Sequence, residues 1–210
     1  MEEKMTTQTP RQLISFVIDN SASCEKEKLA ALMGGFRRMI AESDKYPNAE
    51  LELICFEAFD PALIKAFDEA EIAPVRAGRM PLLGRAVQAA TERTLERVER
   101  LREQGVECHR PWMFILSAGF TFDDMEEVVT RLDAEEHAGT LTYLPFKLCP
   151  KLHTERMQTL DRVKHMIEIR EGHIDGFFGF VASMLERRST LSPEAGLKFS
   201  KSDFEGWAVL

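Results

Sequence analysis

No stretch of this chain is apolar for anything like the roughly 18 residues that a membrane-spanning helix needs. The longest candidates, Trp112 to Leu116 and Leu51 to Phe59, are strand-sized. The opening residues, MEEKMTTQTPRQ, carry acids and polar groups with no apolar segment among them, so export by a secretory leader is not expected and the cytoplasm is the expected location. Cysteine is scarce: Cys24, Cys55, Cys108 and Cys149 stand singly, with no C-x2-C pair, which suits reduced thiols better than a disulfide framework or a zinc clip. Basic residues are in deficit, 27 Lys and Arg against 35 Asp and Glu, for a formal net charge of -8. A polyanion meets no attracting field from such a chain, so nucleic acid is not an expected partner, and neither is a membrane. The five histidines, His109, His137, His153, His165 and His173, show no H-x3-H or H-E-x2-H spacing, and no G-x-G-x-x-G or Walker pattern cradles a phosphate. There is no internal repeat and no low-complexity tract.

What remains is a globular pattern. With 44% hydrophobic residues over 210 positions, the chain can bury a substantial core without covalent staples. Leu13 to Ile18 is a short, nearly continuous apolar run ending in Asp19, as expected of a buried central strand whose far end meets a polar loop. Leu29, Leu32, Phe36 and Ile40 then recur at helical spacing, and Gly34-Gly35 within that helix reads as a site of close helix-sheet packing. Glu50 to Phe56 reads as a second strand, paired across a turn at Asp60-Pro61 with an edge strand over Ala62 to Phe67. From Leu83 to Gly105 the periodicity marks the longest helix, whose arginines and glutamates describe a solvated face. Pro111 to Ser117 is a further buried strand. Asp123, Asp124, Glu126 and Glu127 suit the start of the next helix, which runs to Gly139. Thr140 to Leu148 reads as a strand despite Pro145, followed by a helix about Thr154 to Leu160, a strand about His165 to Ile169, and a last amphipathic helix from Ile174 to Arg188. Phe204, Trp207 and Val209 in the tail are expected to fold back. The expected division is an extension over 1–11, a domain over 12–189 and a tail over 190–210.

Strands alternating with helices imply an α/β class: a doubly wound, mostly parallel central sheet with helices on both faces and one antiparallel edge strand. In such sheets ligands sit at the carboxyl ends of the central strands. That edge carries Asp19 and Ala118, so the loops after the first strand, before the long helix and after the 111–117 strand are the expected site.

The first of these loops, Asp19-Asn20-Ser21-Ala22-Ser23, has the form D-x-S-x-S directly after an apolar strand and resembles the first metal-ligand segment of a von Willebrand factor A domain. Gly78 to Ala86 resembles the Gly-Thr-x-Leu-Gly turn of that family, and Phe114 to Asp124 its Leu-Leu-Thr-Asp-Gly stretch. Among subfamilies the chain most resembles the bacterial tellurium-resistance TerY-like group. The resemblance implies a metal-ion-dependent adhesion site in which Asp19, Ser21 and Ser23 offer one carboxylate and two hydroxyls to magnesium. Two family ligands are replaced, the threonine by Pro81 or, with a shift of the loop, by Met80, and the second aspartate by Ala118, and none of these offers a side-chain oxygen. The expected site is degenerate, with magnesium held weakly or not at all. Asp19, Ser21 and Ser23 serve equally as groups that satisfy the orphan N–H donors of the following helix.

The function so implied is a non-enzymatic module that binds a protein, in the family through an acidic residue of the partner, in a bacterial stress or tellurite-resistance setting. Its partner-facing candidates are Asn20, Ser21, Ser23, Phe120 and Thr121. An alternative from another class is a magnesium-dependent phosphatase of the haloacid-dehalogenase type, which a strand ending in Asp19 as nucleophile and another ending in Ser117 also resemble. The second acid that such chemistry uses two residues on is replaced by Ser21. A third reading is a metal-free scaffold that works through its sheet and tail surfaces.

Overall fold

A computed structural model describes residues 10–19, 24, 26–56, 63–66, 82–117, 121–148, 164–188, 191 and 199–210. The first apolar run forms β1 (Gln12–Asp19), buried along its whole length. It is followed by α1 (Lys26–Ala41), β2 (Ala49–Phe56) and the short β3 (Leu63–Ala66). Next come α2 (Leu83–Glu103), β4 (Trp112–Ser117), α3 (Glu126–Ala138) and β5 (Thr142–Lys147). The chain continues as β6 (Ile167–Ile169), α4 (Ile174–Arg188), a 3-10 turn over Lys201–Phe204, and β7 (Ala208–Val209). The expected helix over Thr154 to Leu160, the turn at Asp60-Pro61, His153, Cys149 and the Cys55 side chain lie outside what is described.

The strands form one sheet in the order β3-β2-β1-β4-β5-β6-β7. From β2 to β6 neighbours run parallel, and both edges are antiparallel, β3 on β2 and β7 on β6. The second antiparallel edge is a departure from the single one expected. The tail builds it, because Arg170 donates to the Trp207 carbonyl at 3.0 Å and so steers residues 208–209 alongside β6.

Alternation along the central strands separates two cores. Ile14, Phe16 and Ile18 of β1 and Trp112, Phe114 and Leu116 of β4 pack under α1 and α4, whereas Val17, Met113 and Ile115 pack under α2 and α3. The first face is almost wholly aromatic at its centre. Phe114 lies 5.4 Å from Phe16 and 5.7 Å from Phe177 between ring centroids, within the range of favourable edge and tilted contacts. On the other face Ser15 Oγ shares a hydrogen bond of 2.7 Å with Thr94 Oγ1 of α2, which satisfies two buried hydroxyls at once. Pro145 is tolerated in β5 because β6 pairs with that strand only from Phe146 on, so along that side Pro145 obeys edge-strand rules.

Gly35 does allow a close approach, but the neighbour is a helix and not the sheet. A Cβ built there would stand 1.9 Å from the ring of Phe178 on α4, whereas at Gly34 the nearest atom is 3.8 Å away. The buried face of α1, with Leu29, Leu32, Met33, Phe36 and Met39, thus meets α4 through a glycine notch.

Candidate functional site

The order of strands reverses between β1 and β4, since the chain winds from β1 toward β2 on one side and from β4 toward β5 on the other. Ile18 pairs with Leu116 at this switch point. One residue further on each strand stand Asp19 and Ser117, both 0% exposed. A buried carboxylate beside a buried hydroxyl at the carboxyl edge of a parallel sheet is where this architecture places its polar chemistry. The structure brings these two sequence candidates together. Asn20, Ser21, Ser23, Pro81, Ala118 and Phe120 lie outside the described residues.

The loop after β4 is described from Thr121 on, and its polar groups have a defined employment. α2 opens without a capping side chain of its own and without an acid in its first turn. Its orphan N–H groups are met from the loop instead. Leu83 N–H donates to Thr121 Oγ1 at 3.0 Å, and Arg85 N–H donates to Asp123 Oδ2 at 2.8 Å. The Thr121 hydroxyl in turn donates to Asp123 Oδ1. Gly84 makes the approach feasible, because a Cβ there would stand 2.7 Å from the Asp124 carbonyl oxygen. Asp124 serves the next helix, with Oδ1 accepting from Glu126 N–H at 2.9 Å. The acids that the sequence assigns to one helix start are therefore divided between two helices. Asp123 caps the one that begins nearly forty residues earlier, a link that no local spacing reveals.

Two consequences follow for the loop's chemistry. Thr121, expected to face a partner, is 0% exposed with its hydroxyl turned into the cap. Its neighbour Phe122 is the outward residue, 46% exposed on a loop pinned at both sides. Sequence reasoning passes over Phe122. The available signal is an aromatic standing alone between the capping residues Thr121 and Asp123.

Pro81 and Ala118 carry no side-chain oxygen. Of the two aspartates that follow in the loop, Asp123 has both carboxylate oxygens engaged in the α2 cap, and Asp124 Oδ1 accepts from the start of α3. From the family pattern the sequence retains one carboxylate and two hydroxyls, Asp19, Ser21 and Ser23. Among the described residues no group of three or more His, Cys, Asp or Glu converges to hold a metal.

No protein-family model matches the chain, and no curated protein matches it in sequence. Solved structures are similar in fold. One is the N-terminal domain of TFIIH p34, at a TM-score of 0.52 and 10% identity over 83% of this chain and 98% of that one. Another is proximal thread matrix protein 1 from the mussel byssus, at 0.55 and 11% identity over 85% of this chain, which spans 47% of that protein's length. A looser likeness, at 0.47 and 9% identity over 76% of this chain and 88% of the other, is to the SpRpn10 VWA domain and carries no argument. At such identities a likeness shows the fold and nothing of the chemistry. The sheet order and the fold likenesses define the class: a mixed α/β fold whose five parallel strands are sandwiched between helices. Among the described residues no helix is long and apolar enough to cross a membrane.

Proposed function

We propose that the chain is a non-enzymatic protein-interaction module that binds a protein partner through the loops at the carboxyl edge of its sheet, without needing a metal. The observation that carries this reading is the loop after β4. Thr121 and Asp123 spend their side chains on capping α2, Asp124 caps α3, and the loop presents Phe122, 46% exposed, on a backbone held from both sides. An aromatic fixed in place before binding forfeits little conformational entropy on docking, which is how interface hot spots gain their weight. Ser21, Ser23 and Asn20 complete the proposed contact surface from the neighbouring loop, where hydroxyls and amides can hydrogen-bond a partner directly. The loop motifs also support a TerY-like role in a bacterial stress or tellurite-resistance system in the cytoplasm. Sensitivity of a deletion strain to tellurite tests that setting.

Purification of the complex from its native cell, followed by titration with the isolated partner, tests the interaction. Phe122→Ala is expected to weaken binding by tenfold or more, in line with the ~2 kcal/mol of a hot-spot truncation. Unchanged affinity in Phe122→Asp and in a Ser21→Trp, Ser23→Trp double variant removes these loops from the interface. Calorimetric titration of magnesium is expected to release no heat from the wild type and measurable heat from an Ala118→Asp, Pro81→Thr variant. The phosphatase alternative requires magnesium-dependent hydrolysis of an aryl phosphate that Asp19→Asn abolishes. Complete burial of Asp19 supports a structural part for this carboxylate.

A further inference from the structure

The loop that presents Phe122 is also where the chain leaves acids without counter-ions. Asp124, Glu126 and Glu127 follow Phe122 within five residues, and all three are exposed. That stretch spans no more than about 18 Å even when fully extended. Asp124 Oδ1 accepts from Glu126 N–H at 2.9 Å, and Thr130 Oγ1 donates to the Glu126 carbonyl at 2.8 Å. The hydrogen bonds of this turn thus use the backbone of Glu126 and leave its carboxylate outside. Among the described residues the side chains of Glu126 and Glu127 enter no ion pair.

The other acids of α3 are engaged. Asp133 stands 3.3 Å from His137, Glu135 accepts from the Thr140 hydroxyl, and Glu136 takes Lys164. The contrast has a specific cause at Glu127. Its neighbour one helical turn on is Arg131, the cation that an i,i+4 spacing normally gives to an acid. Arg131 Nη1 instead reaches Glu92 Oε1 of α2 at 3.0 Å. In its first two turns α2 brings one cation to the loop, Arg85, whose backbone N–H is the donor that Asp123 caps. Asp123, Asp124, Glu126 and Glu127 therefore stand against the single guanidinium of Arg85 around an exposed aromatic, in a chain of net charge -8. The dipole of α3 makes such crowding tolerable, because acids are favoured in a first helical turn, but it offers no donor to their outward oxygens.

We propose that this surface docks a basic amphipathic segment of a partner protein, with an apolar stripe covering Phe122 and flanking lysines or arginines meeting Asp124, Glu126 and Glu127. The inference rests on the reading of this loop as an interface and adds the chemistry of what it binds. About three turns of helix, at roughly 5.4 Å each, cover the stretch from Phe122 to Glu127. A nucleic acid or an anionic membrane is repelled by the same carboxylates, and so is an acidic partner of the kind that the metal-site resemblance implies. Complementary charge speeds encounter and fixes orientation, while the covered aromatic holds the complex together.

Heteronuclear NMR on the full ¹⁵N-labelled chain tests this with three synthetic peptides. One sets leucine and lysine at helical period, the second has glutamate for each lysine, and the third has serine for each leucine. The leucine-lysine peptide is expected to give saturable shifts of the Phe122, Glu126 and Glu127 amides that weaken as sodium chloride is raised. The glutamate peptide is expected to leave them unmoved, and the serine peptide to bind about tenfold more weakly. Glu126→Gln combined with Glu127→Gln is expected to weaken the leucine-lysine peptide several-fold at unchanged circular dichroism. Equal shifts with the lysine and glutamate peptides, saturable shifts confined to residues outside this loop and α3, or no shift with any peptide overturns the proposal. Phe122→Ser separates it from the reading on which it rests. Loss of binding in that variant together with indifference to the glutamine changes keeps the loop as an interface and refutes its charge preference, whereas indifference to both refutes the loop itself. The wild-type titrations decide the proposal even where a variant fails to fold.

Discussion

Two adjacent glycines in α1 show how far one Cβ can matter. Both are in a helix interior, where alanine is favoured over glycine by about 0.5–1 kcal/mol on backbone entropy alone. At Gly34 that gain is expected to appear, because the nearest atom to an added Cβ is the flexible Arg38 guanidinium at 3.8 Å. At Gly35 the Cβ would overlap the Phe178 ring, which is held by Phe36 at 5.0 Å and Phe177 at 5.2 Å and cannot turn aside. Gly35→Ala is therefore expected to destabilise by about 1–3 kcal/mol net, as overpacked cores do. Urea unfolding of the two single variants should place them on opposite sides of the wild type. Sequence reading recognises a close approach at this pair but assigns it to the sheet, because the helix that arrives there lies some 140 positions later and no local period points to it. The same reason hides the work of Asp123, whose carboxylate reads locally as the start of α3 and in fact closes α2.

At the level of elements, legibility follows how local the determining pattern is. β1 and β4 announce themselves as continuous apolar runs, and α2 by its periodicity, because each is specified by its own residues. β7 is two residues long, shorter than any period, and exists only because the tail is anchored beside it. That anchor is a small polar structure at Ser200. Ser200 N–H donates to Asp203 Oδ2 at 2.7 Å, and Arg187 of α4 holds the same carboxylate with Nη2 3.2 Å from Oδ1. Trp207 Nε1–H then donates to the Asp203 carbonyl at 2.9 Å. Burial, the largest single influence, pushes the Asp203 pKa up. The hydrogen bonds from Ser200 and the charge of Arg187 together outweigh it and hold the pKa below the ordinary 3.8. A carboxyl depressed on folding contributes stability that is full above its unfolded pKa and is lost as pH falls through the folded one. The tail is thus expected to loosen only as pH drops below the ordinary carboxylate value, and Asp203→Asn should remove that portion of the acid dependence. Trp207 fluorescence followed between neutral and strongly acid pH, in wild type and variant, checks it; identical profiles would mean that Asp203 does not secure the tail.

Across the whole molecule the two faces of the sheet are unequal, and the heavier one recruits the tail. Phe204 and Trp207 enter the aromatic core, with Trp207 5.5 Å from Phe180 and 6.1 Å from Phe146, and Gly176 of α4 gives Trp207 its seat, since a Cβ there would stand 2.3 Å from it. Reading the sequence as a domain with a separate tail captures the return of these aromatics but not their depth, because burial of a residue near the end depends on a gap that distant elements leave open. Such depth has a thermodynamic signature. Removing a buried tryptophan or phenylalanine typically costs about 3–5 kcal/mol, a large part of the 5–15 kcal/mol that holds a domain folded. A tail contributing on that scale cannot detach well before the sheet unfolds. The chain has two tryptophans, Trp112 on a central strand and Trp207 in the tail, so Trp112→Phe leaves a reporter in the tail alone. In urea its fluorescence transition is expected to coincide with loss of the far-ultraviolet dichroism of the helices and sheet, as cooperative unfolding requires. A Trp207 transition that clearly precedes the dichroic one would show the tail to be a separable strap, whose aromatics leave the core while the parallel sheet persists.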